Sequence, residues 1–214
     1  MRFRCKAILF DLDGVLVDSA ELVERTWRNW ATRHRLDPET VIAAAHGRRT
    51  LETVKIVAPQ LAADAEVASL EANEAMSTDG IHEIEGAREI LERLPAKSWA
   101  IVTSGIRAVA QHRIVYTGLP SPRVMICAEE IEHGKPHPEG YLTAAARLGR
   151  APDECIVIED APPGIDAAHA AGMRVIAIAS TYQPRSLTSA DAVVERISDL
   201  KITPVGDDIL IDVP

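Results

Sequence analysis

The sequence predicts an α/β fold in which a parallel sheet is covered by helices on both faces and an all-helical unit is inserted near the N-terminus. Two observations support this prediction. From residue 84 onward, short apolar runs alternate with helix-length segments, a pattern typical of right-handed βαβ crossovers. Residues 18–80, in contrast, show helical periodicity and no strand pattern. We therefore expect a discontinuous core, residues 1–16 and 84–214, and a helical unit, residues 17–83.

The elements of the core follow from the apolar runs. Strands are predicted at residues 7–10, 99–102, 124–127, 155–158 and 175–179. Helices are predicted between them at residues 86–94, 106–116, 139–148 and 165–171. Residues 190–200 indicate an additional edge strand and a short helix. The apolar patch at residues 209–211 has no partner that the pattern identifies.

Four helices are predicted in the inserted unit. The first follows Ser19, a plausible N-cap, and the second begins at Asp37-Pro38 and ends at Gly47. The others are expected at residues 50–58 and 64–76. Trp27 and Trp30 share one face of the first helix, which favours a role in packing this unit.

The composition argues against several classes of protein. With 47% hydrophobic and 26% charged residues, the chain is ordinary for a globular protein and not disordered. The formal net charge of −9, without a basic block, argues against a nucleic-acid partner. No apolar run is long enough for a membrane span or a signal peptide, so we expect a cytoplasmic location and no membrane partner. The three isolated cysteines are expected to be buried free thiols.

Polar residues follow the first buried strand directly. Asp11 and Asp13 come where the strand ends, and Gly14 lets the chain turn there. Ligands of open parallel sheets bind beyond the carboxyl ends of the strands, so these carboxylates mark a candidate site. Alternation along an extended segment predicts that Asp11 and Asp13 lie on the same side. Paired carboxylates without a basic neighbour repel each other unless a cation separates them, and oxygen ligands of this kind suit Mg²⁺.

Three further segments bring polar groups to the same edge of the sheet. Thr103 and Ser104 follow a strand and precede a helix, where hydroxyl and backbone N–H groups can bind an anion. Lys135 lies between Gly134 and a proline, which restricts where its ammonium group points. A second carboxylate pair, 159–160, ends the apolar strand at 155–158 and could complete an oxygen-ligand set.

The four segments together resemble the ordered motifs of the haloacid dehalogenase-like hydrolases. The matching strings are DLDGVLVDS, the threonine of VTSG, GKPHPEGY and IEDAPPGIDAAHAAG. The resemblance implies a Rossmann-like core with a helical cap domain inserted after the first motif. It also implies a Mg²⁺-dependent phosphatase, in which the substrate phosphate is transferred to an aspartate and then to water.

The resemblance assigns a role to each matching residue. Asp11 would be the nucleophile that forms an aspartyl-phosphate, and Asp13 the general acid and base. Thr103, Ser104 and Lys135 would bind the phosphoryl oxygens. The implied Mg²⁺ ligands are Asp11, the Asp13 backbone carbonyl and Asp160, with Glu159 binding directly or through water.

The substrate implied by the resemblance is a small phosphorylated sugar or polyol. His46, Arg48 and Arg49 lie on a loop between two predicted cap helices and could contact its leaving group; a solvated helix connection is the alternative interpretation of this loop. A sugar phosphomutase resembling β-phosphoglucomutase remains an alternative, although such enzymes carry a histidine where this chain has Val23. A non-catalytic protein that binds a phosphorylated ligand is a further alternative. A monomer is the expected assembly state.

Overall fold

The computed structural model describes all 214 residues and contains a central sheet of six parallel strands. Its strands are β2 (Ala7–Phe10), β5 (Trp99–Val102), β6 (Met125–Ile126), β7 (Cys155–Glu159), β8 (Arg174–Ile178) and β9 (Ala192–Val194), in the spatial order β6-β5-β2-β7-β8-β9. Helices pack on both faces of this sheet. The predicted fold class is confirmed.

Strand β2 lies at the centre because all four of its residues are apolar and can be buried on both faces. It pairs in parallel with β5 and β7, so that Leu9 lies between Ala100 and Val157. Ile8 and Phe10 belong to the apolar cluster on one face, whereas Leu9 belongs to the cluster on the other. This position places the residues that follow β2 at the middle of the sheet edge.

The core helices agree closely with the sequence pattern. They are α5 (Ala87–Arg93), α6 (Arg107–Thr117), α7 (Glu139–Leu148) and α8 (Pro162–Ala170). Residues 190–200 form the edge strand β9 and a short 3₁₀ helix, Ile197–Asp199, as predicted. The strand expected at 124–127 is shorter than predicted, because only Met125–Ile126 pairs with β5.

Four helices form the inserted unit, α1 (Ala20–Arg33), α2 (Pro38–Ala45), α3 (Thr50–Val57) and α4 (Ala63–Met76). They enclose a separate apolar cluster that contains Trp27 and Trp30, whose rings meet edge to face. One feature differs from the helical prediction: β3 (Val17–Asp18) pairs antiparallel with β4 (His82–Glu83). The two ends of the insertion are therefore joined by a short ribbon, too brief to leave an alternating pattern in the sequence.

A second, three-stranded antiparallel sheet was not predicted. It consists of β1 (Arg2–Cys5), β10 (Lys201–Val205) and β11 (Asp208–Asp212), in the order β1-β11-β10. The patch at 209–211 is thus paired with β1, with Ile209 and Ile211 buried. The sequence signal for β1 was the alternation of the buried Phe3 and Cys5 with two exposed arginines. With only two apolar residues between charged ones, the segment did not stand out as an apolar run.

Two other expectations can be compared with the structure. No helix has both the length and the apolar character that a membrane crossing requires. The three cysteines are buried and free, as predicted. Burial raises the pKa of each thiol to about 12, so the thiols are protonated at neutral pH.

Candidate active site

Three carboxylates meet at the carboxyl ends of the two central strands. Asp11 follows β2, and Glu159 and Asp160 lie at the end of β7; the backbone N–H of Asp11 donates to the Ile158 carbonyl at 2.9 Å. All three side chains are buried, and one oxygen from each lies within 4.8 Å of the others. The parallel pairing of β2 with β7 produces this arrangement, because it brings both strand ends to one edge.

Lys135 is the buried cation of this cluster. Its Nζ donates to Asp11 Oδ1 at 2.5 Å, to Glu159 Oε1 at 2.6 Å and to the Val102 carbonyl at 3.2 Å. The adjacent carboxylates outweigh burial and hold the lysine pKa well above its usual value. Lys135 is therefore charged at neutral pH, and its ammonium group fixes one oxygen of Asp11.

Glu159 is held by four donors. Its Oε1 accepts from Lys135 and from the Tyr141 hydroxyl at 2.9 Å, and its Oε2 accepts from the backbone N–H groups of Asp160 and Ala161 at 2.8 and 3.0 Å. A Cβ at Gly164 would lie 1.6 Å from Oε1, so the carboxylate occupies space that only a glycine leaves. These contacts hold Glu159 against Lys135, and its role as a metal ligand, directly or through water, stays a prediction.

The charges of the cluster do not balance. Three buried carboxylates face one ammonium group, and burial raises the pKa values of Asp11 and, more strongly, Asp160. A divalent cation would supply the missing charge, and an all-oxygen donor set suits a hard ion. Gly14 leaves room for the Asp160 carboxylate, since a Cβ there would lie 2.1 Å from Asp160 Oδ2. The residues present therefore fit a bound metal ion.

Asp13 lies apart from this carboxylate cluster. Its Oδ1 accepts from Ser19 Oγ at 2.7 Å and from Arg113 Nη1 at 2.6 Å, and its side chain is 29% exposed. Ser19 does occupy the N-cap position of α1, but its hydroxyl makes no capping bond. The hydroxyl is directed to Asp13 instead, so this residue belongs to the site as well as to the helix terminus.

Thr103 and Ser104 lie at the end of β5, as predicted. Thr103 is buried, and its Oγ1 accepts from the Gly105 backbone N–H at 3.0 Å, which leaves its hydroxyl hydrogen free to donate. Ser104 Oγ donates to the Gly47 carbonyl at 3.0 Å. Ser104 therefore connects the sheet edge to the inserted helices.

The site opens into a cavity of about 340 Å³ between the sheet edge and the inserted helices. Asp11, Asp13, Thr103 and Asp160 line it from the core. From the inserted unit, the lining residues include Val23, Trp27, His46, Arg48 and Glu74. The predicted loop at 46–50 is therefore part of the cavity wall.

Two predicted substrate-binding residues do not line the cavity: Lys135, whose Nζ is bonded to Asp11, and Arg49. The Arg49 guanidinium pairs with Glu52 and donates to the carbonyls of Ala128, Ile131 and Glu132. These contacts fasten the inserted unit to the segment that precedes Lys135. Of the two adjacent arginines, only Arg48 faces the cavity, because consecutive residues at a helix start point in different directions.

Three residues of the site were not identified from the sequence: Tyr141, Arg113 and Glu74. Tyr141 lies within the GKPHPEGY segment, so its position after Lys135 was an available signal. Arg113 lies in the middle of α6 and Glu74 in the last turn of α4, neither within a motif, and only the packing of α4 against α6 brings them to Asp13. No local sequence signal marked either residue.

The chain was compared with known proteins. It matches the haloacid dehalogenase-like hydrolase family over residues 8–178. It is 44% identical to hexitol phosphatase A of Escherichia coli (strain K12), covering 97% of this chain and 99% of that protein. It is 35% identical to glycerol-1-phosphate phosphohydrolase 2 of Saccharomyces cerevisiae, covering 85% of this chain and 78% of that protein.

Solved structures give the same fold. β-Phosphoglucomutase from Clostridium difficile superposes with a TM-score of 0.76 at 23% identity, covering 92% of this chain and 93% of that one. A hydrolase from Pseudomonas syringae also superposes with a TM-score of 0.76, at 26% identity over 90% and 94% of the two chains. The predictions of the family and of phosphatase activity are confirmed: the chain belongs to the haloacid dehalogenase-like hydrolases and is a phosphoric monoester hydrolase.

Proposed function

We propose that the protein is a Mg²⁺-dependent phosphatase that removes the phosphate from a phosphorylated hexitol or a related small polyol or sugar. The observation that carries this proposal is Asp11. Lys135 binds its Oδ1, and the side chain also lines the cavity where a phosphate ester would enter. The 44% identity with hexitol phosphatase A over nearly all of both chains supports the substrate class.

The proposed metal ligands are Asp11 and Asp160, with the Asp13 backbone carbonyl. When bound, Mg²⁺ would neutralise part of the negative charge on the phosphoryl oxygens. Thr103 would donate to those oxygens through its hydroxyl and Ser104 through its backbone N–H, since the Ser104 hydroxyl donates to Gly47, and Lys135 would hold the nucleophile and add positive charge. Glu159 keeps Lys135 in place by accepting from its Nζ, and Tyr141 supports this contact by donating to the same oxygen of Glu159.

The proposed reaction has two steps. An oxygen of Asp11 attacks phosphorus, the bond between phosphorus and the substrate oxygen breaks, and Asp13 donates a proton to the leaving alkoxide. Asp13, now a carboxylate, accepts a proton from water, whose oxygen attacks phosphorus and releases Asp11 and inorganic phosphate. An alkoxide is a poor leaving group, so the proton from Asp13 is expected to be important for polyol substrates.

The rest of the cavity would bind the polyol. Arg48 and His46 offer hydrogen bonds to hydroxyl groups, and Val23 and Trp27 offer apolar contact. Burial lowers the pKa of His46, so the imidazole is neutral at neutral pH and can donate or accept.

We infer a helical cap at residues 17–83 on the core of residues 1–16 and 84–214, supported by the separate apolar cluster of the four helices. We also infer a cytoplasmic monomer whose partner is the small phosphorylated metabolite.

The proposal is tested by phosphate release from hexitol phosphates, glycerol phosphates, aldose phosphates and nucleoside monophosphates, with and without Mg²⁺. We expect metal-dependent release that is fastest for hexitol phosphates. Release that is fastest for nucleotides would contradict the substrate class. Isomerised sugar phosphates without net release would contradict the hydrolytic reaction, and product analysis by NMR detects them.

A further inference from the structure

The candidate acid Asp13 is attached to the inserted helices through one buried arginine. Arg113 lies on α6 of the core with its side chain 3% exposed. Its Nη1 donates to Asp13 Oδ1 at 2.6 Å, and its Nη2 donates to Glu74 Oε2, on α4 of the inserted unit, at 2.9 Å. One planar guanidinium thus bridges the general acid and the helical unit that covers it.

The bridge is not explained by stability. Burying an ion pair costs solvation of both partners, and an apolar replacement of similar size is often as stable. Arg113 also leaves its Nε buried without a hydrogen-bond partner. Burial raises the pKa of Glu74 against the influence of Arg113. The charges of Glu74 and Arg113 are costly to bury, and Arg113 binds Asp13. We therefore explain the bridge by its effect on the position of Asp13.

The geometry also limits where Asp13 can point. Ser19 and Arg113 bind the same oxygen, Oδ1, from two directions, so Oδ2 is left for the substrate side. Glu74 fixes the other end of the guanidinium, and all four residues line the cavity. Displacing α4 from α6 would remove one anchor of Arg113 and so loosen the carboxylate.

We propose that Arg113 is a positioning residue for Asp13 and that Glu74 makes this positioning depend on the inserted unit being seated on the core. The inference rests on the proposed acid role of Asp13. It adds a coupling between the seating of the cap and proton transfer, in which the substrate need not contact Arg113.

Comparing substrates with different leaving groups distinguishes a role of Arg113 in positioning Asp13 from a role in stability alone. p-Nitrophenolate leaves without protonation, whereas a polyol alkoxide needs a proton. For Arg113→Met we expect kcat/KM, which reports phosphoryl transfer to Asp11, to fall about 30-fold more for a hexitol phosphate than for p-nitrophenyl phosphate; this is less than the full contribution of a general acid, about 10²–10⁴-fold, because Asp13 itself remains. Glu74→Gln should show the same preference at about 5-fold, since the amide still accepts a hydrogen bond but carries no charge.

Two variants serve as controls. Arg107→Met removes another arginine of α6, whose partners Glu130 and the Met125 carbonyl lie away from Asp13, and should change both substrates equally. Arg113→Lys retains a buried positive charge if the methionine variant fails to fold. Because one ammonium group replaces two bridging nitrogens, we expect the difference between the substrates to persist in the lysine variant.

Asp13→Asn separates this inference from the proposed function. If it lowers kcat/KM for both substrates equally, the acid role itself is wrong, because kcat/KM reports phosphoryl transfer to Asp11 and not the later step in which Asp13 acts as the base. If it affects the hexitol phosphate selectively and the Arg113 and Glu74 variants do not, only the positioning role is wrong. Glu74→Gln in the Asp13→Asn background should cause no further loss of kcat, because residues that act through one another are not additive. A full additional loss there would overturn the coupling.

Discussion

The two walls of the cavity are built differently. On the core side, Asp11, Glu159, Asp160 and Lys135 are buried, and Lys135 and Glu159 each bond to several partners from different segments. On the side of the inserted helices, His46 and Arg48 are half-buried, and Arg48 makes one weak contact, to the Ala44 carbonyl at 3.4 Å. The difference indicates that the core fixes the phosphate chemistry, while the helical wall can vary to select the rest of the substrate.

The largest expected effect is on the core side. Asp11→Asn removes the proposed nucleophile while keeping the size of the side chain, and we expect kcat to fall at least about 10⁴-fold. Phosphate release measures the loss, and circular dichroism checks that the fold is retained. Substantial residual turnover, with a phosphoenzyme still detectable, would show that another group attacks phosphorus.

The second largest effect tests whether the stability and activity of the core side of the cavity depend on the charge of Lys135. Lys135→Met leaves Asp11 and Glu159 buried without their shared partner, which should lower the free energy of unfolding by about 3–5 kcal/mol. Turnover should fall by about 10²–10³-fold, because the charge is lost beside the phosphoryl group.

A matched control uses a lysine in an exposed pair. Lys6 pairs with Glu154 at the surface, and Lys6→Met should change stability by less than about 1 kcal/mol. Denaturant titrations give both values. If Lys135→Met and Lys6→Met lowered the free energy of unfolding equally, the buried site would not depend on Lys135 more than the surface depends on Lys6.

Two adjacent arginines sharpen the comparison on the helical side. Arg48→Ala should raise KM for the hexitol phosphate about 10-fold with little change in Tm, since the side chain faces the cavity and makes few internal contacts. Arg49→Ala should instead lower Tm, since its partners are Glu52 and three core carbonyls.

Steady-state kinetics and thermal unfolding of both variants separate the two roles. A larger KM effect from Arg49→Ala than from Arg48→Ala would show that the wrong arginine has been assigned to the substrate.

The smallest effect concerns a charge on α4. Burial, with Glu129 and Glu74 nearby, raises the pKa of Glu71 to about 7, above its usual 4.5. The folded state therefore favours the protonated acid, and stability is lost as pH rises from about 4.5 through 7. Because Glu71 is partly exposed, solvent screening reduces the effect to about 1 kcal/mol.

Glu71→Gln should remove this loss. We expect a Tm increase of about 2–4 °C at pH 8 and little change at pH 5, measured by calorimetry. The same shift at both pH values would show that ionisation of Glu71 is not responsible.

The same difference between the walls explains what could be predicted from the sequence. Asp11, Thr103 and Asp160 each follow a buried strand directly, so their convergence depends only on strands being parallel and adjacent. Lys135 lies in the loop before α7 and was marked instead by its position between Gly134 and a proline. The cap side depends on how helices pack across distant segments. Arg113 and Glu74 therefore gave no local signal. The sequence pattern also could not show which of Arg48 and Arg49 faces the cavity.

Outside the site, the sequence predicted the core elements more accurately than the edges. Strands β2 and β5 and helix α7 have the predicted bounds, because each is a strongly patterned segment between turn residues. The sheet of β1, β10 and β11 was missed, since β1 pairs with β11 about 200 residues away and the alternation within a strand does not identify its partner.

The ribbon of β3 and β4 has a mechanical consequence. Both chain connections between the sheet and the four helices run through it, hydrogen-bonded side by side with Val17 opposite Glu83 and Asp18 opposite His82. Two independent linkers would allow the helices to swing and rotate in any direction. Because the two connections are paired, one ribbon joins the inserted helices to the sheet, which limits the orientations in which the loop carrying Arg48 can face the site.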